Sequence, residues 1–190
     1  MSVENIFNKF PVLEVNDEYY LRQITYEDAQ DYLDYISNKQ VNQYVPDECL
    51  PKDLDQAKNE IKYNLDLFLY KRSIFWSVTR KKDNKVIGSC GFNYWSRDHN
   101  RAEISYDLNY DFWNKGIMTD VVKSVLAFAF TQMKLQRVEA TVNPNNMGSL
   151  KVLRKCNFKK EGVLREHKLL HGKFTDAIIL SLIKREYFNI

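Results

Sequence analysis

Apolar and polar residues alternate in some stretches of this chain and recur with a helical period in others. Residues 19–24, YYLRQI, alternate and are rich in β-forming side chains, so they predict a first strand. Thr25 precedes Asp28 by three residues, a spacing typical of a capping box, and this predicts a helix over residues 27–37. Residues 53–70 predict a second helix. Its apolar face consists of Ile61, Leu65, Phe68 and Leu69.

The segment between these two helices follows neither pattern. Residues 38–51 read NKQVNQYVPDECLP and carry Pro46 and Pro51, so they predict an irregular loop. Loops of this length in compact domains are more often functional than idle. We therefore expect this loop to border a binding site.

Three strand-like runs in the middle of the chain predict an antiparallel meander, because short turn-like connections join them. They cover residues 74–80, 85–95 and 101–109. The most regular helix follows and is expected to begin near Gly116 or Ile117. Its apolar residues at helical spacing are Val121, Val122, Val125, Leu126, Ala129, Phe130 and Met133.

The last third of the chain predicts a crossover and a hairpin. A strand over residues 137–143 follows the regular helix, and the order strand–helix–strand predicts a parallel pair. A short helix is expected after Asn146, and two strands over residues 158–170 and 174–184 are joined by an HG turn. The chain is therefore predicted to be a mixed α/β (α+β) domain.

Composition places the chain among globular proteins. Hydrophobic residues make up 44% and charged residues 28%, so we expect residues 1–190 to form one domain. The formal net charge of +3 is too small to predict a nucleic-acid partner. There is no signal-peptide pattern and no apolar run of the roughly 18 residues that span a bilayer, so we expect a cytoplasmic protein without a membrane partner.

Cysteine and histidine give little evidence of chemistry. Cys49, Cys90 and Cys156 are far apart and form no C-x-x-C pair, so free and mostly buried thiols are expected. The histidines lack metal-ligand spacing, which predicts surface roles and no metal site. They are His99, His167 and His171. Four aromatic residues could line an acceptor groove, although core packing is the simpler expectation. They are Tyr44, Trp76, Tyr94 and Trp95.

The stretch FWNKGIMTD, residues 112–120, is the first candidate for ligand binding. The first-turn N–H groups of a helix lack intrahelical partners and carry the positive end of the helix dipole. Gly116 would let an anion such as phosphate approach the backbone, and Lys115 would add charge. The alternative is that Asn114 simply caps the helix and Gly116 eases the turn. This stretch does not match the P-loop or the dinucleotide-binding fingerprint.

Two longer segments, RAEISYDLNYDFWNKGIMTDVVKSVLAFAF and RVEATVNPNNMGSLKVLRKCNFKKEGVLRE, resemble the GNAT superfamily of N-acetyltransferases. The resemblance is greatest to the branch of ribosomal-protein-alanine N-terminal acetyltransferases and covers roughly residues 20–187. The positions that match this branch after the regular helix are Asn146, Ser149, Lys155, Phe158, Glu161, Gly162, Leu164, Arg165 and Glu166.

This resemblance implies the fold and the reaction. The fold would be a central, mostly antiparallel, twisted sheet of about seven strands with a splayed parallel pair and flanking helices. Acetyl-CoA would lie in the splay as co-substrate, without a metal, and a neutral amine would attack its thioester directly in a ternary complex. The branch also favours a homodimer.

Two residues are the catalytic candidates that the resemblance implies. Glu103 would take the proton of the amine, directly or through water, and its alternative role is a cross-strand salt bridge with a lysine or arginine. Ser149 would protonate the departing thiolate or bind the pantetheine, and its alternative role is that of a helix-turn hydroxyl. The backbone N–H near Leu108 would polarise the acetyl carbonyl.

The cofactor-binding residues follow the same resemblance. Lys151, Arg154 and Lys155 are candidates for the 3′-phosphate of CoA or, alternatively, a solvated helix face. Asn146 would bond the cofactor, cap the short helix, or do both. The full expected set is Asp107, Leu108, Asn109, Trp113, Asn114, Lys115, Gly116, Ile117, Met118, Thr119, Asn143, Asn146, Ser149 and Arg154.

The chain departs from the branch at three positions. Asn114 and Asn157 stand where glycine is common, and asparagine tolerates the left-handed conformation that each position would need. Met118 stands where a small residue is common. Met118 lies at helical spacing from Val121 and Val125, so we expect its side chain to pack into the core.

The acceptor amine is less constrained. A protein N-terminal α-amine is the first expectation, and a polyamine or aminoglycoside is the alternative within the enzyme class. A non-catalytic module that senses CoA is the alternative outside it. Acidic residues near the loop hint at a polyamine site, namely Asp47, Glu48, Asp53 and Asp55, whereas Asp176 is expected to be structural.

Overall fold

The computed structural model describes residues 3–189. Across this range eight strands form one sheet in the order β1-β2-β3-β4-β5-β6-β8-β7. The strands are β1 (Leu13–Glu14), β2 (Tyr19–Arg22), β3 (Phe75–Arg80), β4 (Val86–Ser96), β5 (Arg101–Leu108), β6 (Arg137–Val142), β7 (Lys159–Leu170) and β8 (Lys173–Ile183). The helices are α1 (Ala29–Ile36), α2 (Lys39–Asn42), α3 (Leu54–Leu69), α4 (Ile117–Thr131), α5 (Met147–Lys155) and α6 (Lys184–Phe188).

The sheet is antiparallel except at its centre. β5 and β6 are parallel and stay in register over only three residue pairs, from Arg101 opposite Arg137 to Glu103 opposite Glu139. Beyond that point β5 continues to pair with β4 as far as Leu108, while β6 continues to pair with β8. The two central strands therefore separate, and the sheet opens at the ends of β5 and β6.

Helix α4 crosses from β5 to β6 and carries the most deeply buried face of the chain. Val121, Val122 and Val125 are fully buried in the main core, and the helix packs against β1, β4 and α5. Burying one such side chain contributes about 1.5–3 kcal/mol. This packing holds the first turn of α4 rigidly at the opening of the sheet.

The predicted architecture is confirmed. The three middle runs form an antiparallel meander as β3, β4 and β5, and the strand–helix–strand order forms the parallel pair β5–β6. The capping box that Thr25 and Asp28 predict is present, although a short 3₁₀ turn precedes α1. The three cysteines are free thiols, with Cys49 exposed.

Some elements differ from the sequence prediction. The segment 38–51 is not wholly irregular, because it contains α2 and a 3₁₀ turn at Asp47–Cys49. The side chain of Asn38 caps α2 by accepting the N–H of Gln40, a local signal that the loop prediction overlooked. The sheet has an eighth strand, β1, whose two residues are too few to produce a detectable alternation. The last predicted strand ends at Ile183, where α6 begins.

Candidate active site

The opening between β5 and β6 contains a cavity of about 840 Å³. Its wall includes the diverging halves of both strands, the first turn of α4 and the beginning of α5. On the other side it is bounded by α1, the loop after it, α3 and the β7–β8 hairpin. The segment 38–51 therefore borders the cavity, as its length suggested, through Val41, Tyr44, Val45, Pro46 and Cys49.

The turn before α4 adopts a conformation that its residues permit. Gly116 has φ 82° and is the N-cap residue, and Asn114 has φ 61°. The left-handed conformation predicted for Asn114 is therefore confirmed, as it is for Asn157 at φ 64°. Asn114 does not cap the helix, so that alternative was wrong. A Cβ built on Gly116 would meet no atom within 4 Å, which leaves open space in front of the helix.

The first turn of α4 presents unpaired backbone donors to this space. The N–H groups of Thr119 and Asp120 donate to the carbonyl of Gly116 at 3.0 and 3.2 Å. Those of Ile117 and Met118 have no backbone acceptor among residues 3–189. Together with the helix dipole, these free donors suit a phosphate group.

Met118 does not obstruct this turn. Its side chain is only 6% exposed and belongs to the main core, so the expected inward packing is confirmed. Trp113 supports the turn from the other direction, since its Nε1–H donates to the carbonyl of Leu108 at 2.8 Å. The N–H of Asn109 donates to the carbonyl of Ile87 on β4. Successive N–H groups of a strand point to opposite edges, so the N–H of Leu108 points into the opening.

Glu103 lies where β5 and β6 begin to separate. The hydroxyl of Thr141, on β6, donates to its Oε1 at 2.5 Å. The neighbouring arginines are already paired, since Arg101 and Arg137 both contact Glu139 at 2.9 Å. Within residues 3–189 Glu103 forms no salt bridge, so the cross-strand pair that was its alternative role is not observed. Thr141 was overlooked because only the parallel register brings it to Glu103.

Ser149 is held by two contacts at the start of α5. The side chain of Asn146 accepts its backbone N–H at 3.0 Å, so Asn146 caps the helix. The Ser149 hydroxyl lies 2.8 Å and the Ser149 carbonyl 3.3 Å from the phenol oxygen of Tyr106 on β5, so the single phenol proton can be donated to either acceptor. Burial raises the pKa of Tyr106, which keeps this phenol protonated. Tyr106 was overlooked, although a phenol that is largely removed from water requires a hydrogen-bond partner.

Asp107 occupies the opposite face of β5. Its carboxylate accepts the N–H and the hydroxyl of Ser89 at 2.9 and 2.8 Å. Burial raises its pKa, while hydrogen bonds from Tyr35 and Ser89 act in the other direction. These contacts fix Asp107 in the cavity wall.

The other predicted site residues divide into two groups. Asn143, Lys151 and Lys155 line the cavity with those described above. Asn109, Lys115 and Arg154 are not part of the cavity wall. The side chain of Asn109 instead accepts the N–H of Asp111 and so stabilises a turn, and the ammonium of Lys115 lies over the ring of Phe112.

The acidic residues that hinted at a polyamine site also lie outside the wall. Asp47 contacts His171 at 2.6 Å and Asp53 caps α3, and neither Glu48 nor Asp55 lines the cavity. Asp176 accepts the N–H of Glu166, a structural role as expected. Trp76 is a core residue, Trp95 packs partly against the core, and Tyr94 is exposed. Of the four aromatic residues considered, only Tyr44 borders the cavity.

The comparisons with known proteins agree with this geometry. Residues 19–159 match the family model described as "Acetyltransferase (GNAT) domain". The uncharacterized N-acetyltransferase p20 of Bacillus licheniformis is 38% identical over 168 residues, which cover 88% of this chain and 93% of that protein. The chain belongs to the GNAT family of acetyltransferases. It is an acetyl-CoA-dependent N-acetyltransferase, and acetyl-CoA is its co-substrate.

Further relatives of this GNAT protein extend the comparison. The uncharacterized N-acetyltransferase YoaA of Bacillus subtilis is 34% identical over 175 residues, covering 92% of this chain and 98% of that protein. A structure of the ribosomal L7/L12 α-N-protein acetyltransferase in complex with coenzyme A superposes with a TM-score of 0.85. At 17% identity, with 93% of this chain and 99% of that chain covered, it shows the common fold.

The donor set of the cavity fits this co-substrate. The free N–H groups of α4, the open space before Gly116 and two lysines of α5 lie on one side of the cavity. Among residues 3–189, no three His, Cys, Asp or Glu side chains are grouped to hold a metal. Within the same part of the chain, no helix combines the length and apolar character that crossing a membrane requires.

Proposed function

We propose that this GNAT protein acetylates the N-terminal α-amine of a protein. The observation that supports a polypeptide acceptor is the breadth of the acceptor side of the cavity. Separate elements line it, namely α1, the loop after it, α3 and the β7–β8 hairpin, the last through Lys168, Leu170 and Thr175. A wall built from several elements offers contacts to the residues that follow the reacting amine, which a peptide has and a small amine lacks.

The small-amine alternative is not supported by the residues that first suggested it. The acidic residues near the loop lie outside the cavity wall, although four other carboxylates line it, namely Glu60, Glu103, Asp107 and Asp176. The ribosomal α-N-protein acetyltransferase shares the fold of this chain, which is consistent with a protein acceptor.

The co-substrate is held by α4 and α5. Acetyl-CoA supplies the acetyl group as a thioester. The N–H groups of Ile117 and Met118 would bind its pyrophosphate, and Lys151 and Lys155 would add positive charge nearby. The free N–H of Leu108 would stabilise the oxyanion that forms on the acetyl carbonyl.

Glu103 is the proposed general base. Thr141 occupies its Oε1, and its Oε2 has no hydrogen-bond donor among residues 3–189, so that oxygen is free to take a proton from the acceptor ammonium. As the nitrogen–carbon bond forms and the carbon–sulfur bond breaks, Ser149 would give its proton to the departing thiolate and be reprotonated, through water, by the second proton that the nitrogen loses. Tyr106, 2.8 Å away, would hold the Ser149 hydroxyl in position.

This proposal is tested by measuring release of free CoA with N-terminal peptides and with small amines as acceptors. We expect peptides to be acetylated, with mass spectrometry locating the acetyl group on the α-amine. Glu103→Gln should lower kcat about a hundredfold and leave acetyl-CoA binding unchanged. Glu48→Gln, at an exposed position outside the cavity wall, is the matched control.

Two results would contradict the proposal. Turnover of spermidine or an aminoglycoside with no turnover of any peptide would assign the enzyme to small amines. An unchanged kcat in Glu103→Gln would leave Glu103 with a structural role beside Thr141.

A further inference from the structure

One carboxylate in the cavity wall has no partner and no role in the mechanism above. Glu60 lies on α3, and Tyr63, Asn64 and Leu67 follow it on the same face at helical spacing and also line the cavity. The other three lining carboxylates accept hydrogen bonds, Glu103 from Thr141, Asp107 from Ser89 and Asp176 from Glu166. Within residues 3–189 Glu60 accepts none and forms no salt bridge.

The isolation of Glu60 is unfavourable for the protein alone. Its side chain is half-buried, and burial raises its pKa with no hydrogen bond or neighbouring cation to offset the effect. A half-buried carboxylate without a partner costs folding free energy. Groups left in this state are often found where a ligand supplies the missing partner.

The surroundings of Glu60 suit a cation. Burial raises the pKa of Tyr32, and the negative charges of Asp107 and Glu60 raise it further, so both carboxylates lie near that ring. Tyr63 and Tyr44 also line the cavity, and aromatic rings attract cations. Within residues 3–189 none of the three lysines that line the cavity, Lys151, Lys155 and Lys168, forms a salt bridge with Glu60.

The charges of the cavity are therefore separated. The positive groups Lys151, Lys155 and the first turn of α4 lie on the side that fits the phosphates of CoA. Glu60 lies on the acceptor side, on a different element from the proposed base Glu103. The reacting amine gives its proton to Glu103 and is then neutral, so a cationic partner for Glu60 must come from another group of the acceptor.

We propose that Glu60 binds a second cationic group of the acceptor, an ammonium or a guanidinium, in addition to the amine that receives the acetyl group. This inference rests on the proposed function for its acceptor site. It makes Glu60 a specificity-determining residue. The enzyme would select acceptors with a positive charge close to the reacting amine, which an N-terminal peptide supplies through a basic side chain and a diamine through its other nitrogen.

The test compares acceptors that differ only in that charge. All peptides share the same N-terminal residue. They carry arginine, or its neutral isostere citrulline, at the second, third or fourth position, and kcat/KM is measured for each. We expect the arginine peptide to be preferred about tenfold at one position, as for a hydrogen-bonded charge. Glu60→Gln should abolish the preference, so that the arginine and citrulline peptides have equal kcat/KM. Asp55→Asn, an exposed carboxylate of the same helix, should retain it.

The outcomes separate the two proposals. Equal kcat/KM for arginine and citrulline at all positions in the wild type, or a preference that survives Glu60→Gln, overturns the role of Glu60 and leaves peptide acetylation standing. If no peptide reacts but 1,4-diaminobutane does, protein acetylation is overturned. A preference for this diamine over butylamine would then support the role of Glu60 in binding the second cation, and no preference would overturn it. If no acceptor reacts, both proposals fail.

Discussion

At the scale of single residues, the mechanism depends on side chains that are oriented by a neighbour on another element. Ser149 is the clearest case, because its hydroxyl lies between the α5 backbone and the buried phenol of Tyr106. Either oxygen of this pair can be the donor. If Ser149 gives its proton to the thiolate, its oxygen must accept a hydrogen bond from Tyr106. The protonated phenol of Tyr106 can donate that hydrogen bond.

This arrangement predicts the effect of Tyr106→Phe. Removing the phenol oxygen should lower kcat about tenfold, the effect of one lost hydrogen bond, with little change in the KM for acetyl-CoA. Ser149→Ala should lower kcat at least as much, and the double variant should lose no more than Ser149→Ala alone. Steady-state kinetics of the three variants measures this coupling. Tyr94→Phe, at an exposed tyrosine of β4, is the control. Losses that multiply in the double variant would show that Tyr106 does not act through Ser149.

At the scale of elements, α4 joins the core to the site. Its buried valines hold the helix against the sheet, and its first turn leaves two N–H groups unpaired in front of the open space at Gly116. The same helix thus contributes hydrophobic stabilisation at its centre and an anion-binding end. The conformation of that end depends on φ 82° at Gly116.

Gly116→Ala separates these two contributions. The left-handed conformation costs an alanine about 1–2 kcal/mol, so the free energy of unfolding should fall by that amount. The added Cβ meets no protein atom within 4 Å, but it enters the space proposed for phosphate, so the KM for acetyl-CoA should rise. Gly172→Ala, at φ 76° and equally unobstructed, should cost similar stability without changing this KM. An unchanged KM in Gly116→Ala would place the pyrophosphate elsewhere. Urea titration and acetyl-CoA kinetics measure both quantities.

At the scale of the whole molecule, the half of the sheet beyond the opening is tied together by charge. Arg137 of β6 contacts Glu139 on its own strand and Glu161 on β7, and Ser181 of β8 donates to Glu161 at 2.6 Å. The hydrogen bonds from Arg137 and then Ser181 lower the pKa of Glu161 to about 2. This network joins the three strands that lie on the far side of the splay.

The lowered pKa predicts an acid-dependent contribution to stability. Because the pKa of about 2 in the folded state lies below the usual value of 4.5 for a glutamate, Glu161 stabilises the fold fully above pH 4.5 and progressively less as the pH falls towards 2. The difference in unfolding free energy between the wild type and Glu161→Gln should therefore shrink over this interval. Denaturant titrations across the acid range measure it. Glu27→Gln, at an exposed position, should show no such change. A difference independent of pH would contradict the network.

Most of the secondary structure follows from local patterns along the chain, and the candidate site residues follow from the resemblance to GNAT acetyltransferases. Hydrophobic alternation and helical spacing are local properties, so they indicated β3 to β6 and α4 with nearly correct bounds. Glycine and asparagine report backbone conformation locally, so the left-handed turn at Asn114 and Gly116 was also predictable. Short elements such as β1 and α2 were missed because two to four residues carry too little pattern.

The pairs of side chains that meet in the site are set by the packing of distant segments. Thr141 reaches Glu103 because β5 and β6 are parallel and in register, and Tyr106 reaches Ser149 because α5 follows β6 across the opening. Glu60 is on α3, far from β5 along the chain, and no local pattern distinguishes it from other exposed carboxylates of that helix. Its isolation is a property of the folded cavity, because burial and the absence of a partner exist only after distant segments have packed together.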